Sequence, residues 1–186
     1  MDRALVLRTC RINMTVYNGF LWPDSGEVSA PDWKPSSKCG NGLHGLLWGE
    51  GDSSLLDWDD DAKWVVCSVD SELIVSLGNK VKFPKCEVVH VGDQVTATNF
   101  IRDRGGRDRA ITGLTVSEGH HCVIVGGDKV NIVGRNKSKL SGVVGASIIG
   151  GEYARIEASY GADLQGGFGS WVSGGGSSNI VVGSGS

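Results

Sequence analysis

The chain has 186 residues, of which 40 % are apolar and 21 % charged, and a formal net charge of −3. That balance excludes wholesale disorder. The charge is neither basic enough for generic nucleic-acid binding nor acidic enough for a DNA-shaped decoy, so nucleic acid is the less favoured partner. The five cysteines are an odd, scattered set without a Cys-x-x-Cys pair. With no long apolar stretch at the start, they lead to the expectation of a reducing, cytoplasmic setting with free thiols and no membrane partner.

In chain order, Ala4–Cys10 alternates as a strand, and Arg11–Phe20 is expected to return as its partner. Pro23, Gly26, Pro31 and Pro35 then punctuate a turn-rich passage. Trp64–Val69, Leu73–Leu77 and Phe83–Val91 are short β-branched runs. In the last of these, alternation puts Cys86, Val88 and His90 on one face and Glu87, Val89 and Val91 on the other. Thr96–Ile101 fits either a short helix or a strand. Residues 1–101 are therefore read as a β-rich α+β domain. The stretch 102–110, which holds Arg102-Asp103-Arg104-Gly105-Gly106-Arg107-Asp108-Arg109, reads as a charged linker.

Glycine is the compositional outlier at 29 residues, and most of the excess lies in the second half. There, Val116, Ile124, Ile132, Leu140, Ile148, Ile156, Leu164, Val172 and Ile180 recur at every eighth position. Mostly small residues (Ser138, Ala146, Ala154, Ala162, Ser170, Ser178) stand two places before them, and Gly126, Gly134, Gly142, Gly150, Gly166 and Gly174 two places after. An even period suits strands, whose side chains alternate faces. A helix would lose about 1 kcal/mol at each such glycine. Residues 111–186 are therefore predicted to form a short parallel β-solenoid of octads, making the whole chain mainly β.

Pairing octads into one coil sorts the outward positions into two faces. One holds Gly119, His121, Val123, Arg135, Lys137, Lys139, Gly151, Tyr153, Arg155, Gly167, Gly169 and Trp171, and is basic and aromatic. The other holds Gly127, Lys129, Asn131, Val143, Gly145, Ser147, Ser159, Gly161, Asp163, Gly175, Ser177 and Asn179, and is small and nearly uncharged. Arginine and aromatic anchors dominate protein interfaces, so Arg135, Lys137, Lys139, Tyr153, Arg155 and Trp171 are the candidate partner-binding residues. A solenoid end leaves backbone groups unpaired. A homo-oligomer, most simply a dimer, is therefore expected, with Val143, Ser159, Ile180 and Val182 as candidate contacts. No threonine follows Thr115, which argues against an ice-binding face built from ranks of threonine.

Chemistry is sparse. Cys39, His44, Cys86 and His90 have loosely zinc-like spacing, but buried thiols and backbone-bonded histidines are the commoner arrangement, so no metal or cofactor is assigned. Trp22, Trp33, Trp48, Trp58 and Trp64 read as core of a small domain rather than a sugar-stacking platform. The acidic run around Trp58 (Glu50, Asp52, Asp57, Asp59, Asp60, Asp61) lacks the ligand order of a calcium loop and reads as a solvated loop. No nucleophile elbow, phosphate loop or zinc-protease helix is present, and no catalytic residue is assigned.

Cys39-Gly40-Asn41-Gly42-Leu43-His44, with Trp64–Val69 and the stretch from Lys80 to Val89, resembles an uncharacterised domain family of phages and prophages. Members of that family carry a Cys-x-x-Gly-Leu/Phe-His element and continue into glycine-rich tandem repeats. The resemblance implies an intracellular, phage-derived interaction protein that inhibits a bacterial defence or host complex, in the manner of an anti-CRISPR. A looser similarity of Arg8 and Gly42-Leu43-His44 to ADP-ribosyltransferase-like domains implies an enzyme with Glu87 as catalytic acid and Trp48 as nicotinamide clamp. A virion or tail component assembled through the solenoid is a third expectation.

Overall fold

β1 (Arg3–Cys10) lies at the middle of an antiparallel sheet, and its neighbours come from far along the chain. The computed structural model describes residues 2–17 and 19–184. It divides into two units, Met1–Arg104 and Gly105–Ser186. In the first unit β1 is joined by β2 (Gly26–Ser29), β3 (Leu43–Leu47), β4 (Lys63–Asp70), β5 (Val75–Ser76), β6 (Val81–Phe83) and β7 (Lys85–Gly92). The order across the sheet is β2-β7-β4-β1-β3-β6-β5. Among the described residues, the expected partner strand over Arg11–Phe20 does not form: Met14 turns back with φ 62°, and a single bridge, Thr15 to Leu21, is made. The true partners of β1 are β4, which pairs with it from Arg3 to Cys10, and β3, which pairs with it at Val6 and Leu7, so that Val6 stands opposite Cys67 and Leu47.

Alternation along β1 fills both faces of the sheet. Val6 and Cys10 join Val65, Cys67, Val69, Phe83, Cys86 and Val88 in one core, which Met14, Trp22 and Val28 cover. Leu7, Leu46 and Val66 are buried as well. α1 (Gln94–Ile101) packs on β1, β4 and β7 through Ala97, Thr98 and Ile101. Asp93 caps α1, its carboxylate accepting from the Thr96 amide at 2.7 Å. Arg102–Gly106, expected as open linker, instead continues from α1 as a widened π turn, with Arg102 buried.

A bulge corrects the facing read from β7. Cys67 pairs with Val88 but the next residue back, Val66, pairs with His90, so Val89 is an extra residue. Beyond it the alternation flips. Cys86 and Val88 stay in the first core, whereas His90 stacks on Phe100 of α1 at 5.0 Å.

The second unit is a parallel β-solenoid. Its strands are β8 (Thr115–Ser117), β9 (Val123–Val125), β10 (Asn131–Val133), β11 (Lys139–Ser141), β12 (Ser147–Ile149), β13 (Arg155–Glu157), β14 (Asp163–Gly166), β15 (Trp171–Ser173) and β16 (Asn179–Val182). They form two sheets, β8-β10-β12-β14-β16 and β9-β11-β13-β15, in which each strand lies sixteen residues above the last (Asn131 on Thr115, Lys139 on Val123). The octad aliphatics are the rungs between the sheets: Ile124, Ile132, Leu140, Ile148, Ile156 and Leu164 are all buried. Burial fades at β16, where Ile180 is 43 % exposed.

The half-coil turns have a second period that the apolar pattern hides. His121, Lys129, Lys137, Gly145, Tyr153, Gly161, Gly169 and Ser177, eight residues apart, all have φ between 51° and 66°. One left-handed residue thus reverses the chain at each corner. The glycine two places past a rung answers a different need. A Cβ built on Gly150 would sit 2.7 Å from the Ala154 methyl.

Candidate interaction surface

Strand alternation turns two residues per strand outward, one on each side of the rung. On the sheet β9-β11-β13-β15 the first rank is Val123, Lys139, Arg155 and Trp171. The second is Val125, Ser141, Glu157 and Ser173. The guanidinium of Arg155 lies 4.6 Å over the Trp171 ring and 2.7 Å from the Glu157 carboxylate. Arg155 is thus sandwiched between a partner in its own rank and one on its own strand.

All six candidate partner-binding residues are exposed. The structure brings three of them, Lys139, Arg155 and Trp171, into one continuous rank. Arg135, Lys137 and Tyr153 lie in the adjoining turns, where Lys137 and Tyr153 occupy left-handed corners and Tyr153 meets Phe168 edge-on at 5.8 Å. The face is less basic than its sequence positions implied. The second outward rank, one residue past each rung, contributes Glu157. In the turns Glu152 sits beside Asn136, whose side-chain amide donates to it at 3.4 Å. Continuing the alternation one step past each aliphatic would have found Glu157 in the sequence.

On the other sheet the first rank is Thr115, Asn131, Ser147, Asp163 and Asn179, and the second is Ser117, Val133, Ile149, Gln165 and Val181. Within the first rank the Asn179 amide donates to Asp163 at 2.9 Å. Of the candidate oligomer contacts, Val143 and Ser159 stack in successive turns, with the Ser159 amide donating to the Val143 carbonyl at 3.4 Å. Ile180 and Val182 are exposed on β16.

The zinc-like quartet does not assemble. The bulge at Val89 separates Cys86 from His90, Cys39 is exposed, and no group of three or more metal-ligating side chains occurs among the described residues. Cys67, which exchanges a hydrogen bond with Cys86, has its thiol pushed well above the usual range by that bond and by burial. Both act as core residues. Glu87 and Trp48, cast as an enzymatic pair, are set apart by the sheet order. Glu87 is on β7 next to Arg3 at 3.7 Å, Trp48 follows β3, and β4 and β1 stand between those strands. The acids near Trp58 serve local turns: Asp52 accepts from the Ser54 amide at 2.9 Å and Asp57 from the Asp59 amide at 3.1 Å.

Comparison with known proteins redirects the functional reading. The chain is 49 % identical over 106 residues to an ice nucleation protein of Pseudomonas syringae, a match covering 56 % of this chain and 9 % of the relative. It is 44 % identical over 102 residues to the ice nucleation protein InaU of Pantoea ananas, covering 54 % and 10 %. A third, from Xanthomonas campestris pv. translucens, is 41 % identical over 103 residues, covering 54 % and 7 %. The chain therefore spans a tenth or less of the length of these relatives. No solved structure matches it. The relatives are bacterial and named for ice nucleation, which overturns the phage and prophage resemblance and the anti-CRISPR-like inhibitor drawn from it. The ADP-ribosyltransferase and virion alternatives find no match either and fall with it. Residues 4–103 match the family described as Domain of unknown function (DUF7666). That span is more than half of the chain, which accordingly belongs to the DUF7666 family.

Proposed function

We propose that the solenoid is a short water-ordering array of the ice-nucleation type, carried by a DUF7666 domain. The observation that carries this reading is the in-phase register of the sheet β8-β10-β12-β14-β16. Parallel strands repeat about every 4.8 Å, and outward neighbours on one strand lie about 6.6 Å apart. Thr115, Asn131, Ser147, Asp163 and Asn179 place a short oxygen-bearing side chain at each step of that lattice. The adjoining rank mixes hydroxyl, amide and methyl groups. The relatives' name supports the reading, and the missing threonines do not oppose it: the array needs repeated position and short polar groups, which asparagine and serine supply.

Size sets how such an array works. The five described strands extend about 20 Å and by themselves order few waters, so several such arrays are proposed to act side by side. The rank Lys139, Arg155 and Trp171, with Arg135, Lys137 and Tyr153 in the turns, is the proposed contact with a neighbouring copy, and Val143, Ser159, Ile180 and Val182 are secondary contacts. Droplet freezing tests the reading. Protein immobilised densely on beads should freeze droplets at a warmer temperature than bare beads do, and the double variant Asn131→Lys, Ser147→Lys should lose that gain with its circular dichroism unchanged. Freezing at the bare-bead temperature by the dense wild-type array would overturn it.

A further inference from the structure

Three buried side-chain nitrogens have no hydrogen-bond partner among the described residues: Nε of Arg8, Nε1 of Trp22 and Nε2 of His44. All three residues line the same cavity, about 370 Å³ in volume, whose walls also include Val16, Phe20 and Pro31. Folded proteins pair nearly all buried polar groups, and each exception calls for a reason. All three exceptions belong to residues that line one hollow of ligand-like size, and a ligand there would account for them together.

The charge of Arg8 points the same way. Its guanidinium lies 3.9 Å over the Trp22 ring and donates through Nη1 to the His44 carbonyl oxygen at 3.3 Å. It makes no ion pair among the described residues. The groups that sense its charge from β1, β4 and β7 are the thiols of Cys10, Cys67 and Cys86. Burial pushes the Cys10 thiol up, and the bond to Cys86 together with burial pushes the Cys67 thiol up, so these stay neutral and give no counter-ion. Arginine stays protonated despite its own burial. Asp32, the carboxylate in the cavity wall, is engaged by the Asn41 amide at 3.2 Å.

His44 supplies a different function. The Gly42 backbone favours the protonated ring, and Nε2 is the ring atom without a partner. Burial and the nearby Lys80, Arg8 and Lys82 hold the imidazole pKa below its ordinary value. In the tautomer protonated at Nδ1, the neutral ring offers Nε2 as an acceptor. The residues that line the cavity thus hold two unpartnered N–H donors, a positive charge, an acceptor in that tautomer, and apolar side chains.

We propose that this cavity binds a small oxyanion carrying a hydroxyl: its oxygens accept from Arg8 Nε and Trp22 Nε1, its hydroxyl donates to His44 Nε2, and its body rests on Phe20 and Val16. A 2-hydroxycarboxylate and a hydrogen phosphate share this chemistry. The two sources separate on titration with mandelate, phenylacetate and inorganic phosphate, read by tryptophan fluorescence and thermal shift.

Mandelate should bind several-fold more tightly than phenylacetate, which lacks only the hydroxyl; binding by phosphate alone would assign the site to phosphate. Trp22→Phe keeps the ring over Arg8 and removes one unpartnered donor. It should leave the unliganded protein as stable as before and weaken binding about tenfold. Arg8→Gln should abolish binding, and Arg8→Lys, the check on folding, should retain a part. The proposal is overturned if none of the three probes binds at millimolar concentration, or if Trp22→Phe binds as tightly as wild type.

Discussion

The ammonium of Lys82 donates to the carbonyl oxygen of Gly40 at 3.1 Å and, on the same loop, to that of Lys38 at 2.8 Å. Lys82 is fully buried on β6, and the loop it grips supplies Gly40, Asn41 and Gly42 to the cavity wall. A lysine is therefore spent on backbone carbonyls that no strand partner satisfies, fixing a turn-rich segment that lacks regular structure of its own. The Trp33 ring, 5.7 Å from the ammonium, closes over it.

Lys82→Met keeps the length of the side chain and removes both donors. Two carbonyls of a largely exposed loop then lose a charge-assisted bond, and the expected loss is about 1–3 kcal/mol, since a hydrogen bond to a charged group contributes about 1.5–3 kcal/mol and water replaces part of it here. Urea unfolding of the full chain measures it as a lower midpoint at unchanged slope. A variant as stable as wild type would mean that the loop is held by other contacts.

The left-handed corners predict the opposite sign. A non-glycine residue at φ near 60° costs about 1–2 kcal/mol, partly offset because glycine also frees the unfolded chain. Lys137 has φ 60° and no partner in a core, so Lys137→Gly should stabilise the solenoid by about 0.5–1 kcal/mol. Gly145→Val, at φ 64°, should destabilise it by more than that. Thermal melts of the two variants in parallel decide between a true corner requirement and a turn that tolerates any residue.

This pair also shows what was legible in the sequence. The aliphatic rungs from Val116 to Ile180 stand out because burial between two sheets tolerates only one kind of side chain. The corner period was hidden because the left-handed position accepts His, Lys, Tyr, Ser or Gly at modest cost, leaving no common chemistry to see. In the front domain the strand at Ala4–Cys10 was readable from alternation. Its partners, β3 and β4, were not, because strand pairing is set by contacts across tens of residues. The Val89 bulge was invisible for the same reason: it appears only when β7 is laid against β4. The rank Lys139, Arg155 and Trp171 is legible from positions one before each rung, whereas Glu157 stands one after its rung, on the flank that pattern leaves out.

Stability should grade along the coil stack. Ile156 is fully buried between β13 and the facing sheet, whereas Ile180 on β16 is 43 % exposed. Ile156→Ala should cost about 2–5 kcal/mol, as for other large-to-small core changes. Ile180→Ala should cost less than about 1.5 kcal/mol, because it already keeps much of its surface in water. Equal losses at both sites would show that β16 is covered in solution, which the oligomeric state measured by sedimentation would then confirm or refute.

Acid should weaken the front domain in two steps. Burial holds His90 below its ordinary pKa where it bonds Thr96 at 3.2 Å and stacks on Phe100, with Arg104 adding to the depression and Asp93 opposing it. His44 is lowered chiefly by burial too. A histidine whose folded pKa is depressed binds its proton more readily in the unfolded chain. The stability it contributes is complete above the unfolded value of about 6.5 and is lost as pH falls through the folded one. Asp52 and Asp93 are lowered by hydrogen bonds from the turns they cap, which gives the same sign in a lower window, below the unfolded carboxylate value of about 3.9. Urea midpoints should therefore fall first as pH drops below about 6.5, and again as it drops below about 3.9. His90→Gln, which retains a hydrogen-bonding group toward Thr96 but cannot titrate, should flatten the first step in part and leave the second untouched. A first step that persists unchanged in both His90→Gln and His44→Gln would place its cause outside these two rings.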